Sequence, residues 1–492
     1  MGEQSYRSAT ELLDTMAGGE VSAVELAEEA IARIERYEPT LNAVCVRDFE
    51  RALEDARAAD AARARGDARP LLGVPMTVKE SFHVAGLPTT WGIPEFADFV
   101  PDADALAVER VKAAGAVVLG KTNVPLALGD FQSYNAIYGT TNNPWDPQRI
   151  PGGSSGGSAA ALAAGYGALS LGSDIGGSLR NPAHYCGVFA HKPTLGLLPQ
   201  RGHTPPGLPV LPVETHRADH LAVIGPMART ASDLALLLDV LAEPDPLGTG
   251  IAYRLALPAA RHTELADYRV LVVDTHPLIP TGASVRTAIG NFADGLTEAG
   301  AKVERDSPLL PDQADAARLY MHLLMSTLGA RFPEEIYEHT RGAAAQLDPA
   351  DTSLDAERTR GTVLSHRDWL AADGRRAVLR QRFSELFAEF DVVVHPVMST
   401  PAFPHDHSPM GGRTISIDGV DHDYVDQLAF AGAATLPGLP ATVLPIGRSD
   451  EGLPIGVQAI GPMFGDRTTI RFAELAEREF GGFTPPPLPV VE

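Results

Sequence analysis

Two short stretches concentrate the residue types that acyl-transfer chemistry needs: Pro151-Gly-Gly-Ser-Ser-Gly-Gly-Ser158 and Asp174-Ile-Gly-Gly-Ser178. Glycine allows positive φ and close backbone approach. A Gly-Gly-Ser turn can therefore aim several N–H groups and one hydroxyl at a single point. A hydrolase needs that arrangement, a nucleophile beside donors for the oxyanion formed on attack at a carbonyl. Two other uses are weaker. A phosphate loop suits a Gly-rich helix start, but no Gly-Lys-Ser/Thr closes this one. Gly153-Ser-Ser-Gly-Gly157 matches the G-x-S-x-G of a nucleophile elbow, yet the elbow needs a strand just before it. Asp146–Pro151 is turn-like instead.

The wider pattern is more specific. Pro151–Ala160 followed by Gly172-Ser-Asp-Ile-Gly-Gly-Ser-Leu-Arg-Asn-Pro-Ala183 closely resembles the signature of the amidase signature family. Leu72-Gly-Val-Pro-Met-Thr-Val-Lys79 resembles the strand that delivers that family's lysine. Gly120-Lys-Thr-Asn-Val-Pro125, Thr141-Asn-Asn-Pro-Trp-Asp146, Gly225-Pro-Met-Ala-Arg229 and Gly452-Leu-Pro-Ile-Gly-Val-Gln458 also resemble family segments, so the likeness runs from about residue 8 to 475. The resemblance implies that Ser178 is the acylating serine and that Ser154, after a cis peptide bond, is the bridging serine. It implies that Lys79 works through Ser154. It also implies an oxyanion hole from the backbone N–H groups around Ile175, Gly176, Gly177 and Ser178.

Elementary chemistry runs beside that resemblance. A serine hydroxyl is a weak nucleophile and needs a base. Lysine serves as one only when neutral, and its free pKa is about 10.4. Burial at a strand end lowers it. Glu80 follows directly but points to the opposite face if the strand continues. A proton would pass from Ser178 through Ser154 to Lys79 and return to the leaving nitrogen.

Leu126–Asn135 departs from the Ser/Glu-Phe-rich form usual in the family, where this loop borders the acyl pocket. Leu128, Gly129 and Phe131, with Gly153, are the expected substrate-binding residues. Apolar helices over 314–330 and 366–390 either line a substrate channel or pack as ordinary core. His405-Asp-His407 and Asp421-His-Asp423 are rich in ligand types, but they lack an H-E-x-x-H or similar frame. No metal and no cofactor is expected.

The elements that must position these residues alternate between strand and helix. Leu71–Val78, Ala116–Leu119, Ala168–Leu171, Leu221–Gly225, Arg269–Asp274, Asp391–Pro396, Pro440–Pro445 and Ile455–Ile460 read as strands. Helices are expected over 8–35 (two, the first opened by a Ser8/Glu11 capping box), 104–114, 155–164, 231–241 and 283–299, with 48–65 as an exposed surface helix. Residues 341–361 read as a polar segment and 199–213 as a Pro/Gly loop, with an extended tail at 485–489. The fold class is α/β, a large mixed twisted central sheet covered by helices on both sides. The chain is expected to be one amidase signature domain over 1–492, with an N-terminal helical segment to about 66 and a variable helical substrate-pocket region over about 305–425.

Composition is ordinary for a soluble globular protein with a large core: 492 residues, 44% hydrophobic and 21% charged. A net charge of −23 argues against a nucleic-acid partner. Two cysteines, Cys45 and Cys186, are too few for a disulfide framework and suggest a reducing compartment. No leader-like or membrane-length apolar run is present, so a cytoplasmic location is expected. The expected function is hydrolysis of a carboxylic amide C–N bond through a Ser178 acyl-enzyme. The expected substrates are small apolar or aryl amides, with side activity on esters and carbamates. Two alternatives are the glutamine-hydrolysing subunit of a tRNA-dependent amidotransferase and a non-catalytic binding member of the fold. The partner is a small-molecule amide, and a homodimer is one option for assembly.

Overall fold

The computed structural model describes residues 4–207 and 220–488. Its strands are β1 (Val44–Arg47), β2 (Pro75–Lys79), β3 (Val117–Thr122), β4 (Tyr134–Asn135), β5 (Gly139–Thr140), β6 (Leu169–Asp174), β7 (Phe189–Lys192) and β8 (Val223–Ala228). They continue with β9 (Arg269–Val272), β10 (Lys302–Glu304), β11 (Val392–Pro396), β12 (Thr414–Ile417), β13 (Val420–Asp423), β14 (Ala441–Arg448) and β15 (Pro454–Ile460). Eleven of them form one sheet in the order β1-β3-β2-β6-β8-β7-β14-β15-β11-β9-β10. β2 runs parallel to β3 and β6, and β9 parallel to β10 and β11, while β6–β8, β7–β8, β7–β14, β14–β15 and β11–β15 are antiparallel. The protein is thus a mixed α/β fold.

Every residue of β2, β3, β6, β7 and β8 is buried. Successive strand residues face opposite sides, so both faces of the sheet centre are covered, as a sheet of near-continuous apolar strands requires. Pro75-Met-Thr-Val-Lys79 is such a strand, and its last residue is a lysine. β2 pairs with β6 through Met76↔Leu169, Thr77↔Ser170 and Val78↔Leu171. That register sets Lys79 beside the Gly172–Ser173 end of β6.

The helix Gly156–Ala163 is buried along its whole length. It opens on Gly156 and Gly157 because neighbouring chain comes too close there for anything larger. A Cβ on Gly157 would lie 2.4 Å from the backbone N of Asn123, and one on Gly156 2.4 Å from Ser133 Oγ.

Several expectations shift. β6 continues three residues past the expected end because its pairing with β8 persists through Gly172↔Gly225 to Asp174↔Val223. The surface helix is real over Phe49–Ala64, but Ala52, Ala56, Ala59 and Ala62 make a buried stripe. Alanine alone gave that face little hydrophobic contrast. The polar stretch 341–361 overlaps two helices, Glu334–Ala344 and Leu354–Thr362. The second buries Glu357 and Arg358 through ion pairs, which an apolar periodicity does not reveal. Of the 199–213 loop and the 485–489 tail, residues 208–213 and 489 lie outside the described residues.

Candidate active site

Lys79 is fully buried at the end of β2. Its Nζ donates to Ser154 Oγ at 2.6 Å and to Ser173 Oγ at 2.9 Å. Burial pushes its pKa down to about 7, with the carboxylates of Asp174 and Glu80 pulling the other way. Glu80 is held apart from the lysine: its carboxylate accepts the backbone N–H groups of Thr90 at 2.5 Å and Trp91 at 3.0 Å, and the Tyr138 hydroxyl at 3.1 Å. Lys121 and Lys192 are buried too, but they bind Pro88, Thr89 and Pro193, none of which borders the cavity described below.

Ser154 lies on the loop that opens the helix Gly156–Ala163, after a cis Gly153–Ser154 peptide bond. Asn181 clamps Gly153 from both sides, accepting its N–H at 3.0 Å and donating to its carbonyl at 2.6 Å. The same side-chain amide donates to Gly177 O at 2.9 Å. One buried asparagine thus ties the Ser154 loop to the turn before Ser178. Ser155 N–H donates to Ser178 O at 3.2 Å, a second tie between them.

The turn Ile175–Ser178 is held from beneath by Asp174. Its carboxylate accepts the N–H groups of Gly177 at 2.9 Å and Leu179 at 3.1 Å, and pairs with Arg180 through bonds of 3.0 and 2.9 Å. Burial works to raise the Asp174 pKa, but Arg180, Lys192 and the Leu179 N–H together outweigh it and the carboxyl stays below its ordinary value. The Gly177 N–H, expected to face an oxyanion, is therefore turned inward. At φ +92 the turn delivers that donor to a charged acceptor, which is the stronger partner. Tyr320 braces the turn from the other side, its hydroxyl donating to Ile175 O at 2.6 Å.

Above this floor lies a cavity of about 1780 Å³. Ser154, Ser173, Asp174, Ile175, Gly176 and Ser178 border it, and Lys79 meets it only through its serines. Ser178 is 8% exposed. The walls are mostly apolar: Trp91, Ile93 and Phe96 on one side, Leu324, Met325, Leu328 and Phe332 on another. Of the expected pocket residues, Leu128, Gly129 and Phe131 border the cavity. Gly153 is not on its wall. A Cβ there would lie 2.3 Å from Asp130 O, so its face is closed by the neighbouring loop. The helix Gln313–Gly329 lends its C-terminal half to the cavity, whereas His366–Glu389 contributes nothing to it and packs Leu379, Phe383 and Leu386 into core.

Ser173, Asn181 and Tyr320 were not singled out from sequence. Ser173 carried a signal, because a residue next to Asp174 on a strand paired with that of Lys79 must approach the lysine. Asn181 and Tyr320 carried none, since their partners are set by the tertiary fold. Among the described residues no group of three or more His, Cys, Asp or Glu side chains is placed to hold a metal ion. No helix among them is long and apolar enough to cross a membrane.

The amidase family model matches residues 25–470. A glutamyl-tRNA(Gln) amidotransferase subunit from Thermus thermophilus is 36% identical over 484 residues, 94% of this chain and 95% of the relative. A chain from a vestigial protein complex bearing on the origins of an s-triazine catabolic enzyme is 31% identical, with a TM-score of 0.80 over 97% of this chain and 99% of that one. A bacterial aryl acylamidase of the amidase signature family shares the fold, with a TM-score of 0.78 over 97% of this chain and 96% of that one at 23% identity. The chain belongs to the amidase signature family. It is an enzyme of a group whose members hydrolyse or transfer amide nitrogen, acting on C–N bonds.

Proposed function

We propose that the protein hydrolyses carboxylic amides through an acyl-enzyme on Ser178. The observation that carries this reading is the 2.6 Å hydrogen bond between Ser154 Oγ and a buried lysine that is half neutral near pH 7, at the floor of the cavity that Ser178 borders. Ser178 Oγ attacks the carbonyl carbon as its proton passes to Ser154 Oγ, whose own proton moves to neutral Lys79 Nζ. The N–H groups of Ile175, Gly176 and Ser178 take the oxyanion. The lysine proton returns through Ser154 to the leaving nitrogen, the C–N bond breaks and an amine departs. Water then attacks the acyl-enzyme along the reverse route and releases the acid.

The apolar walls favour an apolar or aryl acyl or amine group. Esters and carbamates present the same carbonyl to the same nucleophile and are expected side substrates. A second reading is the glutamine-hydrolysing subunit of a tRNA-dependent amidotransferase. It is supported by amidotransferase relatives at 33–36% identity along nearly the whole chain. That reading implies a protein partner and a pocket for a zwitterionic side. Two arginines on the cavity wall are already engaged by the protein's own carboxylates: Arg358 pairs with Asp355, Asp423 and Asp426, and Arg201 with Glu109 and Asp245.

A hydrolysis screen with Ser178→Ala as control tests both. Aryl anilides, aliphatic and aromatic amides, a carbamate and glutamine are offered to the purified protein. Ser178-dependent cleavage of an anilide or apolar amide supports the first reading. Cleavage of glutamine alone, rising with a co-purifying partner, moves the assignment to the second. No cleavage, together with no labelling of Ser178 by a serine-directed fluorophosphonate, overturns both.

A further inference from the structure

The loop Leu126–Phe131 forms one wall of the cavity and is held in an unfavourable shape. Ala127 and Leu128 have φ of +51 and +59, left-handed values that cost a non-glycine residue free energy and persist only where surroundings impose them. One restraint is the Ala127 N–H, which donates to Trp91 O at 2.8 Å, beside the local turn bonds Leu128 N–H to Pro125 O and Gly129 N–H to Leu126 O. Another is Asp130. Its carboxylate accepts Arg413 Nη1 at 2.5 Å and the Tyr424 hydroxyl at 2.7 Å. Both partners stand at the feet of the β12–β13 hairpin, joined there by Tyr424 N–H to Arg413 O at 3.2 Å. The Arg413 and Asp130 side chains are 2% and 7% exposed, so this is a buried ion pair, and breaking one side of such a pair is costly. Arg413 is itself fixed by Ser408 O at 2.7 Å and the Tyr134 hydroxyl at 2.6 Å. The backbone of Asp130 meanwhile lies directly over Gly153, where a Cβ would sit 2.3 Å from Asp130 O.

We propose that Asp130, anchored by Arg413 and Tyr424, is a positioning residue that sets the shape of the acyl-pocket wall and thereby the size of substrate the site accepts. The proposal rests on the amide-hydrolase reading of Ser178. Asp130 and Tyr424 themselves border the cavity, but the Asp130 carboxylate is taken up by Arg413 and Tyr424, so its part is to hold the wall formed by Leu128 and Gly129 in place. The β12–β13 hairpin, remote from the serines in sequence, becomes a determinant of selectivity through this strut.

Asp130→Asn and Tyr424→Phe test it, each checked for folding by its melting temperature. The first readout is the kcat/KM ratio of a bulky aryl amide to a short aliphatic amide, split into kcat and KM. The second is deuterium exchange of the Ala127 amide, which does not depend on turnover. The ratio is expected to fall tenfold or more in Asp130→Asn, mostly through KM of the bulky substrate. A smaller fall in the same direction is expected in Tyr424→Phe, and Ala127 exchange is expected to quicken about tenfold in Asp130→Asn. An unchanged ratio, or an equal loss on both substrates, overturns the selectivity role. Unchanged Ala127 exchange in a folded Asp130→Asn overturns the strut itself. Should the wild type lack Ser178-dependent hydrolysis, the function reading fails separately and the exchange measurement alone decides the strut.

Discussion

Lys79 Nζ and Ser154 Oγ are 2.6 Å apart, and Ser173 Oγ receives a second lysine proton at 2.9 Å. When neutral, the lysine has two protons and one lone pair. It can donate to Ser173 while accepting from Ser154, which is the orientation a base needs. Removing each group should therefore cost different amounts. Ser178→Ala is expected to lower kcat by about 10⁴-fold or more, as losing a nucleophile does. Ser154→Ala and Lys79→Met are each expected to cost roughly 10²–10⁴-fold, the range of a proton-transfer group. Combining them should add little, because they act as one unit. Ser173→Ala removes one orienting hydrogen bond and should cost only about tenfold. Steady-state rates on the best substrate of the screen check the ranking. A Ser173→Ala variant as dead as Ser154→Ala would make Ser173 more than an orienting partner, and a Ser154→Ala variant less affected than Ser173→Ala would move the relay to Ser173.

The depressed lysine pKa gives the pH dependence a sign. The base works only when deprotonated, and its pKa in the fold is pushed down to about 7 by burial. kcat/KM should therefore fall tenfold per pH unit below about 7 and level off above it. A profile measured from pH 5 to 9 on a non-ionising amide checks this. A rate that stays flat to pH 5 would mean that Lys79 is not the titrating base.

How far the sequence reached is clearest at particular residues. Ser154, Ser178 and Lys79 were named through the resemblance of two Gly/Ser stretches and a strand-end lysine to family segments, and such segments are local patterns; the fold places Lys79 Nζ on Ser154 Oγ. What the local pattern missed is long-range. Gly177 looked like one more oxyanion donor, and only the fold shows its N–H spent on Asp174. Asn181 reaches back 28 residues to Gly153, and Arg413 reaches 283 residues to Asp130. Neither distance leaves a periodicity to read. Leu354–Thr362 was overlooked as a helix for a related reason, since ion pairs rather than an apolar stripe bury it.

Asn181 offers a test of how the two serine loops are kept in register. Its side chain makes three buried hydrogen bonds, two to Gly153 and one to Gly177 O. Asn181→Ala would leave a buried N–H and two carbonyls without that partner. A stability loss of roughly 1–3 kcal/mol is expected, the cost of unsatisfied buried groups. A fall in kcat of tenfold or more is expected as well, with KM little changed, because the loss lies in alignment and not in substrate contact. Urea unfolding and steady-state kinetics separate the two. A variant that loses stability but keeps kcat would make Asn181 a structural bond only.

Lys79→Met should also reveal what the buried amine costs the fold. Unfolded, the lysine holds its proton to about pH 10.4; folded, it releases it near 7. Between those values the unfolded state binds more protons, so this group makes stability rise with pH. Below about pH 7 the folded protein carries the charge in a dry site at full cost. Methionine has no such term. The melting temperature of Lys79→Met relative to wild type should therefore be most favourable at or below pH 7, and that advantage should shrink steadily toward pH 10. Lys121 and Lys192, also buried with lowered pKa values, are common to both proteins and cancel in the difference. A difference that stays constant from pH 6 to 10 would mean that the folded lysine titrates as it does in the unfolded chain, and the base assignment would lose its physical ground.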